Sequence, residues 1–326
     1  MTDQSPPERI DPPEQRESPN LWRAADDLPH DHPGTDSTPA LVLGIVGDSG
    51  SGKNTVADAV ASLLGPDRIT DVRLDDYHRF TREERAERGV TALNPTVHNL
   101  ALMQEHLRLL RRRRPIRNRS YSHTDGTFGP IRTIPAKEIV LVRGLLGFPT
   151  RELQNLYDLA VFLQPEPELL FRWKLRRDVR FRGYKEAAVL KTIAAHLLDA
   201  KEFVLPQAER AHLHVHYALP DWDAPDTEVR TTLRLRREAA DLARAAPLFG
   251  DLPVEQEDVG QEVVARIPPD LSEEAVDDWA RERFPDTYEP AIVGNFPDET
   301  GGMRRQPPLA LVQLLIALLA RKRAEV

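Results

Sequence analysis

Short apolar runs alternate with amphipathic stretches along most of the chain. The runs predict strands at 41–46, 69–74, 139–142, 159–163 and 213–218, and an alternating stretch predicts another at 229–235. Apolar residues at helical spacing predict helices at 53–64, 98–113, 151–156, 166–178, 187–203, 207–211 and 273–283. Strands separated by helices favour a mostly parallel sheet with helices on both faces. The pattern therefore predicts an α/β fold.

The composition changes at both ends of the chain. Residues 1–38 are rich in Pro, Asp, Glu and Ser, which predicts a disordered tail. Prolines and acidic residues increase again after about Ala224. This predicts a main domain at 39–224 and a smaller C-terminal appendage at 225–326. The apolar ending from Pro308 is too short to cross a bilayer, so we expect a helix packed on the core or on a second subunit.

A glycine-rich loop follows the first predicted strand and opens the first predicted helix. It consists of Gly47, Asp48, Ser49, Gly50, Ser51, Gly52, Lys53, Asn54 and Thr55. Such a loop turns its backbone N–H groups onto phosphate oxygens, and its lysine reaches the terminal phosphates of a nucleotide. The alternative is a tight strand-to-helix turn without a ligand. Strand, glycines, lysine and helix agree, and together they favour phosphate binding.

One position of this loop departs from the pattern. The residue after the lysine should be Ser or Thr, because its hydroxyl holds Mg²⁺. Here it is Asn54, and Thr55 follows. An Asn side chain can offer a carbonyl oxygen to a metal ion, but with a different geometry.

Two carboxylates, Asp75 and Asp76, follow the second predicted strand directly. Ligands of open α/β sheets bind at the carboxyl ends of the strands, so a carboxylate there could accept a proton from an attacking hydroxyl or hold a metal-bound water. Four arginines follow closely, at positions 79, 82, 85 and 88. The alternative is a strand-end turn in which an Asp caps a helix.

Two further polar stretches are candidates for the same site. Tyr121, Ser122 and His123 lie in a predicted polar loop, where a lone histidine is usually only solvated. Residues 172–183 are dense in arginine, which forms bidentate bonds to phosphate, so one or two of them could close over a nucleotide as a lid. The alternative for the second stretch is an exposed basic helix face.

Composition excludes several classes of function. The 326 residues include no cysteine, which excludes disulfides, thiolate nucleophiles and cysteine metal sites. The net charge of −8 argues against a surface built for nucleic acid. There is no apolar run of about 20 residues and no signal-peptide pattern, so we expect no membrane partner and a cytoplasmic location.

Several motifs together resemble the phosphoribulokinase/uridine kinase family over roughly residues 40–220, and its phosphoribulokinases in particular. They are Gly-Asp-Ser-Gly-Ser-Gly-Lys at 47–53, Leu-Asp-Asp-Tyr-His at 74–78, Gly-Val-Thr-Ala-Leu-Asn-Pro at 89–95, Tyr-Ser-His at 121–123, Gly-Leu-Leu-Gly at 144–147, Arg177-Asp178, Arg182-Gly183 and Leu205-Pro206-Gln207. Their order and spacing are more specific than any single motif.

The resemblance implies a P-loop kinase fold and transfer of a phosphoryl group from ATP, with Mg²⁺, to a sugar hydroxyl. In phosphoribulokinases the small-molecule substrate is ribulose 5-phosphate and the product is ribulose 1,5-bisphosphate. By resemblance, Asp75 would be the catalytic base, and Arg177 and Arg182 would be the lid arginines. The sugar phosphate would be contacted by His78, Arg82, Tyr121 and His123.

Four positions depart from the family's pattern. Asn54 replaces Ser or Thr, Arg143 replaces a glutamate that supports the metal and phosphates, Asn94 stands where Asp is usual, and Ala101 stands where Asp is common. The metal ligands are therefore left open. Two alternatives also stay open: a uridine-type nucleoside kinase, and a catalytically weak regulatory protein that binds nucleotide or phosphate. A homo-oligomer is a further expectation.

Overall fold

Eight strands form one twisted sheet in the part of the chain that the computed structural model describes, residues 38–243, 248–297 and 302–325. Across the sheet they are β2 (Ile69–Arg73), β5 (Ile139–Gly144), β1 (Leu41–Gly47), β6 (Leu159–Pro165), β7 (Leu213–Ala218), β8 (Arg230–Arg236), β10 (Glu262–Ile267) and β9 (Glu255–Val259). The strands from β2 to β7 are parallel, and the last three are antiparallel additions. The predicted α/β fold class is confirmed.

Helices cover both faces of this sheet. They are α1 (Lys53–Leu64), α2 (Arg82–Glu87), α3 (Leu100–Arg111), α4 (Arg151–Gln154), α5 (Pro167–Arg176), α6 (Glu186–Asp199), α7 (Arg237–Ala243), α8 (Glu273–Arg283) and α9 (Pro307–Ala324). Two π-helical turns, Arg177–Phe181 and Ala200–Val204, extend α5 and α6. The predicted tail, residues 1–38, lies outside the described residues except for Thr38.

The central strand β1 explains why the sheet needs cover on both faces. All seven of its residues are buried. Alternate side chains point to opposite faces, so Leu43 and Ile45 join the core beneath α1, while Val42 and Val46 join the core beneath α3. Strand β1 therefore lies between two apolar cores, and polar functional groups can gather only at its carboxyl end.

Helix α9 is buried nearly all round and packs against α1, α7, α8, β1 and β6 of the same chain. A helix that is apolar on every side belongs in a core. None of the described helices combines the length and the apolar character needed to cross a membrane. Strands β7 and β8 pair directly across the predicted domain boundary at residue 224, which stays a prediction.

The predicted polar loop at residues 121–123 is confirmed for Ser122 and His123 and is wrong for Tyr121, which belongs to a strand. β3 (Ile116–Tyr121) and β4 (Phe128–Ile134) form a two-stranded antiparallel ribbon, in which Tyr121 ends β3 and Ser122 and His123 begin the turn. The sequence of β3 lacks the alternation of apolar and polar residues that predicts a strand, because one of its three buried residues, Asn118, is polar and a register shift precedes Tyr121. A second short ribbon, β11 (Asn295–Pro297) with β12 (Met303–Arg305), and the paired strands β9 and β10 were not predicted either.

Candidate active site

The phosphate-binding loop joins the end of β1 to the start of α1. Gly50 and Gly52 take left-handed backbone conformations, with φ of 91° and 86°. Glycine adopts these angles without steric cost, which lets the loop curl over the helix N-terminus. The first N–H groups of a helix have no partner within it and favour anions. The loop thus has the local structure of an anion site.

Lys53 is the first residue of α1, and its Nζ donates to the carbonyl oxygen of Asp48 at 2.6 Å. Burial lowers the pKa of Lys53 to about 8, although the carboxylates of Asp48 and Asp75 raise it. An ammonium group in such surroundings lacks full solvation, so a phosphate oxygen is a favourable partner for it.

Asp75 lies in a 3₁₀ turn, Leu74–Tyr77, at the carboxyl end of β2. Its two oxygens lie 3.2 Å from His123 Nε2 and 3.6 Å from His78 Nε2. Burial alone would raise the pKa of Asp75, but the hydrogen bond with His123 and the neighbouring imidazoles hold it below its usual range. The carboxylate is therefore ionised at neutral pH and can accept a proton.

Asp76 serves a different purpose. Its Oδ1 accepts from the backbone N–H of Tyr121 at 2.7 Å and lies 3.6 Å from Arg73 Nη2. This carboxylate fastens the β3–β4 ribbon to the strand end. It holds Tyr121 in place, and Asp75 is left as the carboxylate that faces the cavity.

The ribbon brings the predicted sugar-phosphate residues together. Arg82 donates to the carbonyl oxygen of His123, and the hydroxyl of Tyr121 accepts from Arg85 Nη2 at 2.8 Å. The ring of His78 packs edge-on against Tyr121, with 4.9 Å between their centroids. Burial, chiefly, lowers the pKa of His78 to about 2, so its imidazole is neutral near pH 7.

The two predicted lid arginines share one carboxylate. Asp178 accepts from Arg177 Nε at 2.8 Å and from Arg182 Nη1 at 3.2 Å. Arg177 Nη2 also donates to Ser49 Oγ at 3.1 Å. The π-helical turn after α5 thus places the guanidinium group of Arg177 against the phosphate-binding loop, and Asp178 joins Arg182 to it.

One cavity of about 350 Å³ gathers most of the predicted site residues. They are Ser49, Gly50, Gly52, Lys53, Asn54, Thr55, Asp75, His78, Arg82, Tyr121, His123, Arg177 and Arg182. Gly47, Asp48 and Ser51 are not among its lining residues. The structure places these residues, and their roles stay predictions.

The lining of this cavity is strongly cationic. Beside Lys53 it contains seven arginines: Arg73, Arg82, Arg85, Arg143, Arg176, Arg177 and Arg182. Asp75 is the single carboxylate among the described residues that line it. A lining of this kind concentrates anions and suits ligands that carry several phosphate charges.

A larger cleft, of about 1,090 Å³, lies between α5 and α6. Its walls are mostly apolar, and Asp48 and Lys174 mark its border with the phosphate-binding loop. Neither Lys53 nor Asp75 is among its lining residues. We therefore assign the chemistry to the smaller cavity, where charge and a proton acceptor lie together.

Sequence reasoning missed several lining residues. Arg85 stands within the arginine series after Asp75, so that series was a usable signal for it. Trp173 and Arg176 lie within the arginine-dense stretch but carried no motif of their own. Phe296 and Pro297 come from a distant part of the chain, and nothing in the sequence linked them to this cavity.

The oxygen donors available for a metal ion are few. No cluster of three or more His, Asp or Glu side chains that could hold a metal occurs within the described ranges. Mg²⁺ in phosphate sites usually needs only one or two protein oxygens, since phosphates and water supply the rest. Asn54, Thr55 and Asp75 line the cavity and carry such oxygens, so the residues present fit Mg²⁺.

Arg143 occupies the place of the expected acidic group at the end of β5. Its Nη1 lies 2.7 Å from Asp58 of α1, and its Nη2 lies 2.7 Å from Asp71 of β2. Its Nε is buried without a hydrogen-bond partner among the described atoms. The positive charge of Arg143 is thus balanced by two carboxylates, which reduces the repulsion that it would exert on a nearby Mg²⁺ ion.

A family model decides the classification. The model described as "Phosphoribulokinase / Uridine kinase family" matches residues 42–223. The chain belongs to the phosphoribulokinase/uridine kinase family. The resemblance to this family that the motifs indicated is confirmed. The matched residues contain the phosphate-binding loop, Asp75, the β3–β4 ribbon and the lid arginines.

Individual members of the family are similar over part of their length. The phosphoribulokinase of Synechocystis sp. is 31% identical over 214 residues, which are 65% of this chain and 64% of that protein. The chloroplastic phosphoribulokinase of Triticum aestivum is 29% identical, over 60% of this chain and 52% of its own length. The match thus spans between half and two thirds of these relatives. A uridine kinase of Geobacillus kaustophilus is 30% identical over 44% of this chain and 69% of its own length.

A solved phosphoribulokinase from Rhodobacter spheroides has a similar fold. It aligns with a TM-score of 0.55 and 18% identity over 72% of this chain and 91% of its own length. At this identity the likeness concerns the fold, and it confirms the P-loop kinase architecture.

The two ion pairs that Arg143 forms with Asp58 and Asp71, here called the Arg143 triad, lead to a prediction about stability. Replacing Arg143 by Glu places three carboxylates together, and we expect the free energy of unfolding to fall by about 2 kcal/mol. Arg143→Met, which removes the cation without adding an acid, should cost less. Denaturant unfolding measures both. A second change, Asp71→Arg in the Arg143→Glu background, should restore stability. If Arg143→Glu is as stable as the wild type, the two ion pairs of Arg143 do not stabilise the fold.

Proposed function

We propose that this protein transfers the terminal phosphoryl group of ATP to a sugar phosphate, with ribulose 5-phosphate as the acceptor. The observation that carries the proposal is the charge of the cavity, where seven arginines and Lys53 surround one carboxylate. Two phosphorylated substrates need such a lining, whereas an uncharged nucleoside does not.

The donor phosphates are held at the phosphate-binding loop. Backbone N–H groups at the start of α1 and the ammonium of Lys53 meet the phosphate oxygens. Arg177 and Arg182 approach from the opposite side, where Asp178 holds their guanidinium groups in place. These cations offset the negative charge of the phosphoryl group during transfer.

The acceptor lies between Asp75 and the ribbon. Asp75 is ionised, and its carboxylate takes the proton of the attacking hydroxyl. Arg82 and neutral His78 hold the acceptor's phosphate and hydroxyl groups, beside Tyr121 and His123. His123 also orients Asp75 through their contact at 3.2 Å.

Mg²⁺ supplies further charge neutralisation at the phosphates when it is bound. The side-chain oxygens of Thr55, Asn54 and Asp75 are the groups that would hold it, directly or through water. The family's usual hydroxyl is displaced by one position here, since Asn54 follows the lysine. A homo-oligomeric state and a cytoplasmic location stay predictions.

A coupled assay of ADP release with MgATP tests the proposal directly. Ribulose 5-phosphate should support turnover, and uridine should not. Turnover with uridine alone would establish the nucleoside kinase alternative. ATP binding without turnover on either acceptor would favour the weak, regulatory alternative that Asn54 and Arg143 motivate.

ATP affinity should fall above pH 8 because Lys53 then loses its proton. The pKa of Lys53 is lowered to about 8 in the free protein, so each pH unit above this should weaken binding by up to about tenfold. Calorimetry from pH 7 to 10 measures the slope. Lys53→Arg keeps its charge and should show no slope, while Lys53→Ala should bind at least about tenfold more weakly at pH 7. A slope that persists in Lys53→Arg would assign the titration to another group.

Asp75→Asn should lower kcat by about 10²-fold or more, because general-base catalysis contributes in that range. ATP binding should change little, since the proton transfer occurs in the transition state. Asp76→Asn is the matched control: it should lower thermal stability through loss of the ribbon anchor and affect kcat much less. Comparable losses of kcat in both variants would mean that Asp75 is not the base.

Arg82→Ala should raise the KM for ribulose 5-phosphate by about tenfold, the size expected when a charge-assisted hydrogen bond is lost. The KM for ATP should stay nearly constant. Arg88→Ala is the control on the same segment, because Arg88 packs over the ring of Phe80 and is not among the cavity's lining residues. If the KM values of both substrates rise equally in Arg82→Ala, general disturbance of the ribbon explains the result.

A further inference from the structure

Residues far outside the family match reach the candidate active site. The matched region ends at residue 223, yet Phe296 and Pro297 of β11 line the cavity beside the phosphate-binding loop. Phe296 also borders Ser51, Gly52 and Thr55 in a small adjoining space. We call residues 293–297 the C-terminal wall.

The C-terminal wall is attached to α5, the helix that immediately precedes the lid arginines. The ring of Phe296 lies 4.8 Å from that of Trp173 in α5, and Arg176 Nη1 contacts the carbonyl oxygen of Pro297 at 3.3 Å. Asp226 supports both α5 residues, since its Oδ2 accepts from Trp173 Nε1 at 3.0 Å and from Arg176 Nη1 at 2.7 Å.

A buried glutamine attaches the same segment to the phosphate-binding helix. Gln313 lies in apolar α9 with none of its surface exposed. Its Oε1 accepts from Gly294 N at 2.7 Å, and its Nε2 donates to the carbonyl oxygen of Thr55 at 3.3 Å. A buried amide costs free energy unless it is bonded. Both hydrogen bonds of Gln313 are made with segments of the candidate site, so its amide links the C-terminal wall to α1.

The local backbone leaves little freedom in this attachment. Gly294 has a φ of 86°, and a Cβ there would lie 2.8 Å from Cβ of Ala310. Arg305 Nε donates to the carbonyl oxygen of Val293 at 3.1 Å. The C-terminal wall thus packs closely against α9, and Gln313 of α9 bonds both to the wall and to α1.

We propose that the C-terminal wall forms the nucleoside side of the ATP site, in which Phe296 contacts the ribose or base and Gln313 is the residue that positions the wall. Aromatic rings take up nucleoside faces, whereas the phosphates bind at the loop. Phe296 and Trp173 border Gly52 and Thr55 in both the cavity and the small adjoining space, whereas Tyr121 and Phe181 line the cavity alone. This inference rests on the proposed ATP-dependent function.

Inorganic tripolyphosphate separates the wall from the phosphate site, because it has the phosphates of ATP without the nucleoside. Calorimetry with the full chain should show that Phe296→Ala weakens ATP binding about fivefold and leaves tripolyphosphate binding unchanged. Gln313→Met, which is close in volume and lacks both hydrogen bonds, should shift the ratio of the two affinities in the same direction.

Two control variants complete the experiment. Lys53→Ala should weaken both ligands, and Phe249→Leu, in the same core but not among the cavity's lining residues, should lower stability without changing the ratio. Equal losses for ATP and tripolyphosphate in Phe296→Ala, or no loss for either, would overturn the inference. Wild-type protein that binds both ligands but transfers no phosphoryl group would refute the proposed function alone. Wild-type protein that binds neither would refute both.

Discussion

Mutual repulsion among the cations of the cavity is the constraint on which the rest of the site depends. Several guanidinium groups and one ammonium share a small volume, where effective dielectric constants are lower than in water and like charges repel strongly. Carboxylates that pair with the arginines from outside the cavity lining reduce this repulsion. Asp178 backs Arg177 and Arg182, and Asp226 backs Arg176. The cations are thus held before any phosphate arrives, which is the preorganisation that electrostatic catalysis requires.

Much of this arrangement could be predicted from the sequence. The central strands and the phosphate-binding loop follow from local patterns, since an apolar run before glycines and a helix start leaves few other structures. The pair Asp75 and Asp76 followed from its place at a strand end, and the family resemblance selected Asp75. The β3–β4 ribbon could not be predicted, because its stability comes from tertiary bonds such as that between Tyr121 N and Asp76. Phe296 was out of reach for the same reason, since its neighbours are distant in sequence.

The surroundings of Arg143 show that the effect of a substitution depends on its neighbours. By itself the change from an acid to a base beside a phosphate site suggests repulsion of a metal ion. The structure shows Asp58 and Asp71 on either side of the guanidinium, and neither aspartate belongs to a recognised motif. The functional weight of the change therefore depends on three positions together, and neighbouring charges must be changed in concert to test it.

Helix α9 has a consequence for how the chain reaches this structure. It covers the face of α1 and β1, and the bond between Gln313 and Thr55 joins residues 258 positions apart. The first strand and its helix therefore keep an apolar face uncovered until distant residues arrive. Contacts between residues so distant in sequence slow folding, and they prolong the lifetime of partly folded intermediates that expose apolar surface and tend to aggregate. During synthesis, the half of the molecule that contains the phosphate-binding loop is thus translated first, although its core is completed only by the last helix.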